Sequence, residues 1–211
     1  MLGGAAEKND CWPAGLGEAM RMLENRTINE IRVGDTSSIQ RTITKSDVLL
    51  FARLSGDLNP IHVDEAFAGA NMYGKIVAQG TWVNAVVSTL VGTKLPGPGT
   101  VFLNQNLNYR RPIVLDDTIT VNVTVRVRHG IGRQLTLDVR VVNQNGDDVA
   151  DGSVDVLTPR RKICCEAVTL PALALDVSQS AFDRAQPVAS PSAVNGANGS
   201  PVAHEPGFRV E

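Results

Sequence analysis

The sequence predicts an α+β domain in which one antiparallel sheet wraps a central helix, and three observations carry that reading. The segment Thr81 to Leu95 places Trp82, Val83, Ala85, Val86, Val87, Leu90 and Val91 around nearly a whole helical circumference, interrupted only by Asn84, Ser88 and Thr89. A helix apolar on almost every side has to be buried. Beyond it the apolar period changes to 2, through Val101, Leu103, Leu107 and Tyr109, then Ile119, Val121, Val123, Val125 and Val127, then Leu135, Leu137, Val139 and Val141, then Val154 and Val156. Turn formers at Asp116-Asp117, Gly130 and Asn145-Gly146 divide that stretch into four strands of an antiparallel meander.

The elements follow in order. Residues 1–24 form an N-terminal extension with two Gly-containing clusters, an isolated Cys11-Trp12-Pro13 and room for a short helix from Gly17 to Leu23. Ser37 to Thr44 reads as a short strand. Thr44 and Asp47 then have the spacing of a capping box, with Asp in place of the commoner Glu, and Val48, Phe51, Ala52 and Ser55 repeat at helical spacing behind them. A helix is predicted over Lys45–Leu54. It stops at Ser55-Gly56-Asp57-Leu58-Asn59-Pro60, where turn formers crowd together and Pro60 biases Asn59 away from helical angles. Pro96-Gly97-Pro98-Gly99 separates the central helix from the strands. Patterned sequence occupies residues 25–162, the size of one compact domain. Residues 163–211 read as a linker-like, disordered tail: from Ala185 to Gly207, 15 of 23 residues are Ala, Gly, Pro or Ser, too little apolar surface to offset the entropy of ordering.

Twenty Lys and Arg against 22 Asp and Glu leave a net charge of −2, with no broad positive field for a nucleic acid or an anionic membrane. No apolar run approaches the roughly 20 residues that cross a bilayer, and residues 1–24 lack the basic-then-apolar order of a secretory signal. The expectation is a soluble, cytoplasmic protein without nucleic-acid or membrane partners. Three cysteines, Cys11, Cys164 and Cys165, lie in no metal-binding spacing, so no metal site is expected, and the adjacent pair reads as reduced thiols at the edge of the tail.

Of three histidines, His204 falls in the tail and His129 at a hairpin end beside Gly130. Only His62 stands in a turn-rich loop near an acid, Asp57, with Asn59-Pro60 between them. An Asp and a His converging on one water make a general acid/base pair, since imidazole exchanges protons near neutrality. The same residues also fit a structural reading, with Asp57 closing an Asx-turn over Asn59 and His62 capping a helix that starts near Asp64. Spacing leaves both open.

The loop Ser55-Gly56-Asp57-Leu58-Asn59-Pro60-Ile61-His62-Val63-Asp64, followed by Phe67-Ala68, resembles the signature of the MaoC-like family of (R)-specific enoyl-CoA hydratases, which have the hot-dog fold. Lys75 to Gly80 is similar to the family segment ending in His-Gly, Leu95 to Thr100 to the loop after the central helix, and Tyr109-Arg110-Arg111-Pro112-Ile113 with Asp117 to a strand end followed by a turn. The likeness runs from about Glu24 to Pro159. Glu24 to Thr27 and the linker-like tail also resemble the start of proteins that fuse such a domain to a phosphate acetyl- or butyryltransferase.

What the resemblance implies is specific. Asp57 and His62 match the catalytic pair; the resemblance leaves open which of them is base and which acid, and the expected assignment is His62 as base and Asp57 as proton donor. Gly80 matches the glycine whose N–H polarises the thioester carbonyl, and Ser88 the serine that helps orient the site; a serine back-bonded to the preceding turn is its structural alternative. Asn59, Gln79, Arg110 and Arg111 fall at substrate-binding positions, Gln79 where the family usually carries His. Arg110 and Arg111, together with Arg126, Arg128 and Arg133, are candidates for the phosphates of coenzyme A, against the plainer reading of solvated strand-edge charges. The implied activity is hydration of a trans-2-enoyl-CoA to (R)-3-hydroxyacyl-CoA in fatty acid metabolism, by a homodimer with no cofactor beyond the coenzyme A of its substrate. The rivals are a non-catalytic acyl-thioester-binding module and a hot-dog thioesterase.

Overall fold

The computed structural model describes residues 22–130 and 132–168. In chain order these give β1 (Met22–Glu24), a 3-10 turn (Ile28–Glu30), β2 (Thr36–Thr42), α1 (Lys45–Ser55), α2 (Pro60–Val63), α3 (Glu65–Ala70), α4 (Thr81–Thr93), β3 (Val101–Tyr109), β4 (Thr118–Arg128), β5 (Gln134–Val142), β6 (Asp148–Leu157) and β7 (Cys164–Glu166). The expectations for the tail beyond residue 168, for Cys11 and for most of the N-terminal extension lie outside the described residues.

Five strands make one antiparallel sheet in the order β2-β4-β5-β6-β3, with α4 against its concave face. Val83, Val87, Leu90 and Val91 of α4 share a single core with Ile119, Val121, Val123 and Val125 of β4, Leu135, Leu137, Val139 and Val141 of β5, and Val154 and Val156 of β6. The period-2 pattern therefore becomes the inner face of the sheet, each alternate residue closing over the helix. The predicted central helix is found, though not buried all round. Trp82, Val83, Val86, Val87, Leu90 and Val91 are inside, whereas Thr81, Ala85, Ser88 and Thr89 form an exposed stripe.

Three details depart from the sequence pattern. The strands are not one meander: β3 pairs with β6 across the sheet from β4, because the β3–β4 link carries Pro112 and lays Ile113–Leu115 against Ile76–Ala78 instead of turning back tightly. A register shift between Phe102 and Asn104 exposes Val101 and Leu103 on this edge strand, and another between Val125 and Val127 turns Val127 outward. Finally, the folded unit reaches past 25–162. Met22–Glu24 pairs with Cys164–Glu166, so Met22 and Leu23 are strand rather than short helix, and Cys164 and Cys165 sit in a β-ribbon rather than at a tail's edge.

The ribbon is tied to the body by Lys162, whose Nζ meets Glu24 at 2.6 Å, Glu30 at 2.9 Å and the Asn25 carbonyl at 2.7 Å. Glu30 also accepts from the Thr27 N–H at 2.7 Å. That backbone donor, followed by Lys162, lowers the Glu30 carboxyl to a pKa of about 2. A carboxyl depressed on folding stabilises the protein above its ordinary value of 4.5, and the contribution disappears as pH falls toward about 2. Glu30→Gln should therefore lose less stability than the parent between pH 5 and 2 in urea melts. The difference should stay below about 1 kcal/mol because the side chain is 44% exposed; parallel losses in both proteins would contradict it.

Candidate active site

Three short pieces of chain build the site. Thr44 and Asp47 form the expected reciprocal cap, Asp47 N–H to Thr44 Oγ1 at 3.1 Å and Thr44 N–H to Asp47 Oδ2 at 3.0 Å, which fixes where α1 begins. Its end is set by Gly56, left-handed at φ 78° and donating to the Ala52 carbonyl at 2.8 Å. The chain leaves α1 directly into Asp57. Asp57 Oδ1 then accepts from the Asn59 N–H at 3.2 Å, and Asn59 Oδ1 from the Ile61 N–H at 3.3 Å, so the loop is self-bonded up to α2, which carries His62 on its single turn.

The Asx-turn over Asn59 therefore exists, and it does not compete with a chemical role, because it uses only one oxygen of Asp57. The other, Oδ2, lies 3.6 Å from His62 Nε2. The helix near Asp64 is capped by Asp64 itself, through Ala66 and Phe67 N–H, so His62 is released from the capping alternative. Its ring is buried and its Nδ1 lies 2.6 Å from the Val77 carbonyl oxygen. A carbonyl can only accept, so Nδ1 carries the proton. In the neutral ring Nε2 is then a bare lone pair, turned toward Asp57. At 3.6 Å the pair is too far apart for a direct hydrogen bond, yet one water can lie about 2.8 Å from both atoms.

Val77 belongs to the third piece. Its N–H donates to Ile61 O at 3.1 Å and Ala78 N–H to Ile113 O at 2.7 Å, which pins this segment on both sides just before α4. Gly80 is the N-cap residue of α4 with φ −56° and ψ −38°. Among the described residues no acceptor takes its N–H, as expected of a first helical turn. Neither backbone angle nor packing demands a glycine here: a Cβ would meet only the Tyr109 ring, at 3.6 Å. The missing side chain leaves free space in front of the amide.

That space is a cavity of about 350 Å³ lined by His62, Gly80, Val83, Tyr109, Ile113 and Val149, among others. Its walls are mostly apolar. Tyr109 is a cavity residue that sequence reasoning missed, and Asn84 holds it in place: the Tyr109 hydroxyl donates to Asn84 Oδ1 at 2.7 Å, tying the end of β3 to the first turn of α4. The polar position Asn84 inside an apolar helix was the available signal.

Not all predicted residues gather there. Ser88 lies two turns along α4, about 12 Å from Gly80, on the exposed stripe and away from the cavity lining. Asn59 is exposed and serves as the α2 cap. Gln79 is 1% exposed and faces the interior, so its side chain has no access to a substrate in the cavity. Arg110 and Arg111 do reach the cavity, but each is matched: Arg110 to Asp151 and Arg111 to Asp147 at 3.6 Å. Arg126 pairs with Asp138 at 3.0 Å on the outer sheet face, and Arg133 donates to the Thr158 carbonyl. The Arg110 hydrogen bond holds the Asp151 carboxyl below its usual range. Among the described residues no group of His, Cys, Asp and Glu could hold a metal ion, and no helix is long and apolar enough to cross a membrane.

Comparison with known proteins agrees with this geometry. A 3-hydroxybutyryl-CoA dehydratase of Methylorubrum extorquens is 36% identical over 134 residues, covering 63% of this chain and 84% of that protein. An (R)-specific enoyl-CoA hydratase of Rhodospirillum rubrum is 41% identical over 96 residues, 46% of this chain and 67% of that one. Among solved structures, an unliganded R-hydratase from Pseudomonas aeruginosa superposes with a TM-score of 0.71 at 33% identity, covering 74% of this chain and 99% of the other. The profile of the MaoC like domain matches residues 30–146. With the sheet wrapped around α4 and the Asp57–His62 loop beside Gly80, the chain belongs to the MaoC-like domain family and has its hot-dog fold.

Proposed function

We propose that the protein hydrates trans-2-enoyl-CoA to (R)-3-hydroxyacyl-CoA. One observation carries the reading: an apolar cavity joins an imidazole whose bare nitrogen faces Asp57 to a helix-terminal amide that has no acceptor among the described residues. A thioester carbonyl placed on the Gly80 N–H gains a donor where enolate charge develops, at the positive end of α4. A water between His62 and Asp57 gives a proton to His62 Nε2 and its oxygen to Cβ. The pair enters the cycle holding one proton, on Asp57 Oδ2, and Cα takes up that proton. A second water bridging the 3.6 Å gap then carries the imidazolium's proton to Asp57, and the pair is reset. Atoms and charge balance with no cofactor beyond the substrate's coenzyme A.

The R configuration follows that of its relatives, the (R)-specific enoyl-CoA hydratases of Rhodospirillum rubrum and Aeromonas caviae. We assign the chain to fatty acid metabolism in the cytoplasm, as a homodimer. Support for the dimer comes from β3, an edge strand with Val101 and Leu103 exposed beside its unpaired backbone. Crotonyl-CoA tests the activity: loss of enoyl absorbance without release of free thiol is expected. Thiol release would indicate a thioesterase, and binding without turnover an acyl-thioester module.

Asp57→Asn and His62→Ala should each lower hydration by at least about 10²-fold with the fold intact. The double variant should lose little more than either alone, since the two act as one unit; losses near twofold would leave Asp57 and His62 with only their loop bonds. Gly80→Ala should melt like the parent, because its Cβ makes only an ordinary contact with Tyr109, yet lose at least about tenfold in kcat/KM by filling the space before the amide. Full activity in Gly80→Ala would remove the oxyanion assignment even if Asp57 and His62 proved catalytic.

A further inference from the structure

Gln79 stands beside the site with a polar side chain that the reaction does not use. Its side chain is 1% exposed, its Nε2 donates to the Val48 carbonyl at 3.3 Å, and its Oε1 is buried with no partner among the described residues. The Val48 carbonyl can only accept, so the amide orientation is fixed and Oε1 is the orphaned atom. A buried polar group with an unsatisfied atom is less favourable than an apolar side chain of the same shape. Packing alone would favour methionine or leucine here.

Its position in the chain explains what it gains. Val77, two residues earlier, orients His62 through its carbonyl; Gly80, one residue later, presents the amide. Val48 lies in α1, the helix that ends at Gly56 and delivers Asp57. The Gln79 amide is thus the side-chain tie between the helix that carries Asp57 and the segment that carries both the ring-orienting carbonyl and the Gly80 N–H. We propose that Gln79 is a positioning residue for the hydration reaction, setting the Gly80 amide and Asp57 in register from inside the core. The inference rests on the hydratase reading above. Because the side chain does not reach the cavity, its loss should not weaken binding of the ground state. It should misalign the amide with the charge that develops later, which is felt in kcat rather than KM.

The test compares the full-length parent with Gln79→Met, Gln79→Leu and Gln79→His on crotonyl-CoA, with a thermal melt of each. Gln79→Met is expected to melt at or above the parent's Tm while kcat falls by about tenfold and KM stays within about twofold. Gln79→His, which offers a ring N–H to the Val48 carbonyl in place of the amide N–H, is expected to keep kcat within about threefold of the parent. A Gln79→Met variant as active as the parent would overturn the inference and leave the hydratase reading standing. So would a loss carried by KM alone, a Gln79→His no better than Gln79→Met, or a collapse of Tm in both Gln79→Met and Gln79→Leu, which would make the residue structural only. If Gln79→Met alone fails to fold, Gln79→Leu is read in its place by the same criteria. A parent that does not hydrate crotonyl-CoA overturns the hydratase reading, and this inference with it.

Discussion

The hydrogen bond from His62 Nδ1 to the Val77 carbonyl is the contact on which the rest of the site depends. It fixes the tautomer, and with the tautomer it decides that Nε2 is the atom free to take a proton. It also joins two pieces of chain that lie 15 residues apart, since Val77 N–H in turn bonds Ile61 O. A four-residue segment, Val77 to Gly80, thereby carries the orienting carbonyl, the buried amide of Gln79 and the N–H at the start of α4. Precision comes from backbone pinned between α2, the 113–115 segment and the core, which holds a site more tightly than side-chain contacts on an open loop would.

Electrostatics around the cavity are local. Arg110, Arg111, Arg126 and Arg140 each meet an aspartate, Asp151, Asp147, Asp138 and Asp148, so the outer sheet near the cavity mouth bears four matched pairs and little net field. Recognition of coenzyme A phosphates by Arg110 or Arg111 would have to compete with carboxylates already in place. Acyl recognition is of another kind: Val77, Ala78, Val83, Ile113 and Val149 give apolar walls, and α4 that supplies Val83 also supplies the amide. Binding of the chain and alignment of the thioester are therefore coupled through one helix.

Much of this was legible in the sequence. Thr44 with Asp47, and Gly56 ahead of Asp57, announced the limits of α1, because caps are local chemistry. The strands β4 and β5 followed from period 2, and α4 from its apolar density. What failed was non-local. The register shifts that expose Val101, Leu103 and Val127 leave no mark in an alternating pattern, and the placement of β3 beside β6 depends on where an eight-residue link finds partners. Similarly, the match of Gln79 to a family histidine points to a substrate contact, while only the three-dimensional packing of α1 shows it facing inward. Ser88, eight positions beyond Gly80, matched by spacing alone, and spacing does not say which side of a helix meets the cavity.

The chemistry of the site turns on the protonation state of one ring nitrogen. The chain has three histidines, so ¹⁵N-labelling with His62→Gln as the assignment control resolves the His62 signals by NMR. With the neutral ring, Nδ1 should show the shift of a protonated nitrogen and Nε2 that of a bare one. A neutral His62 protonated at Nε2 instead would mean that the Val77 carbonyl does not set the ring, and that the nitrogen facing Asp57 is not the base.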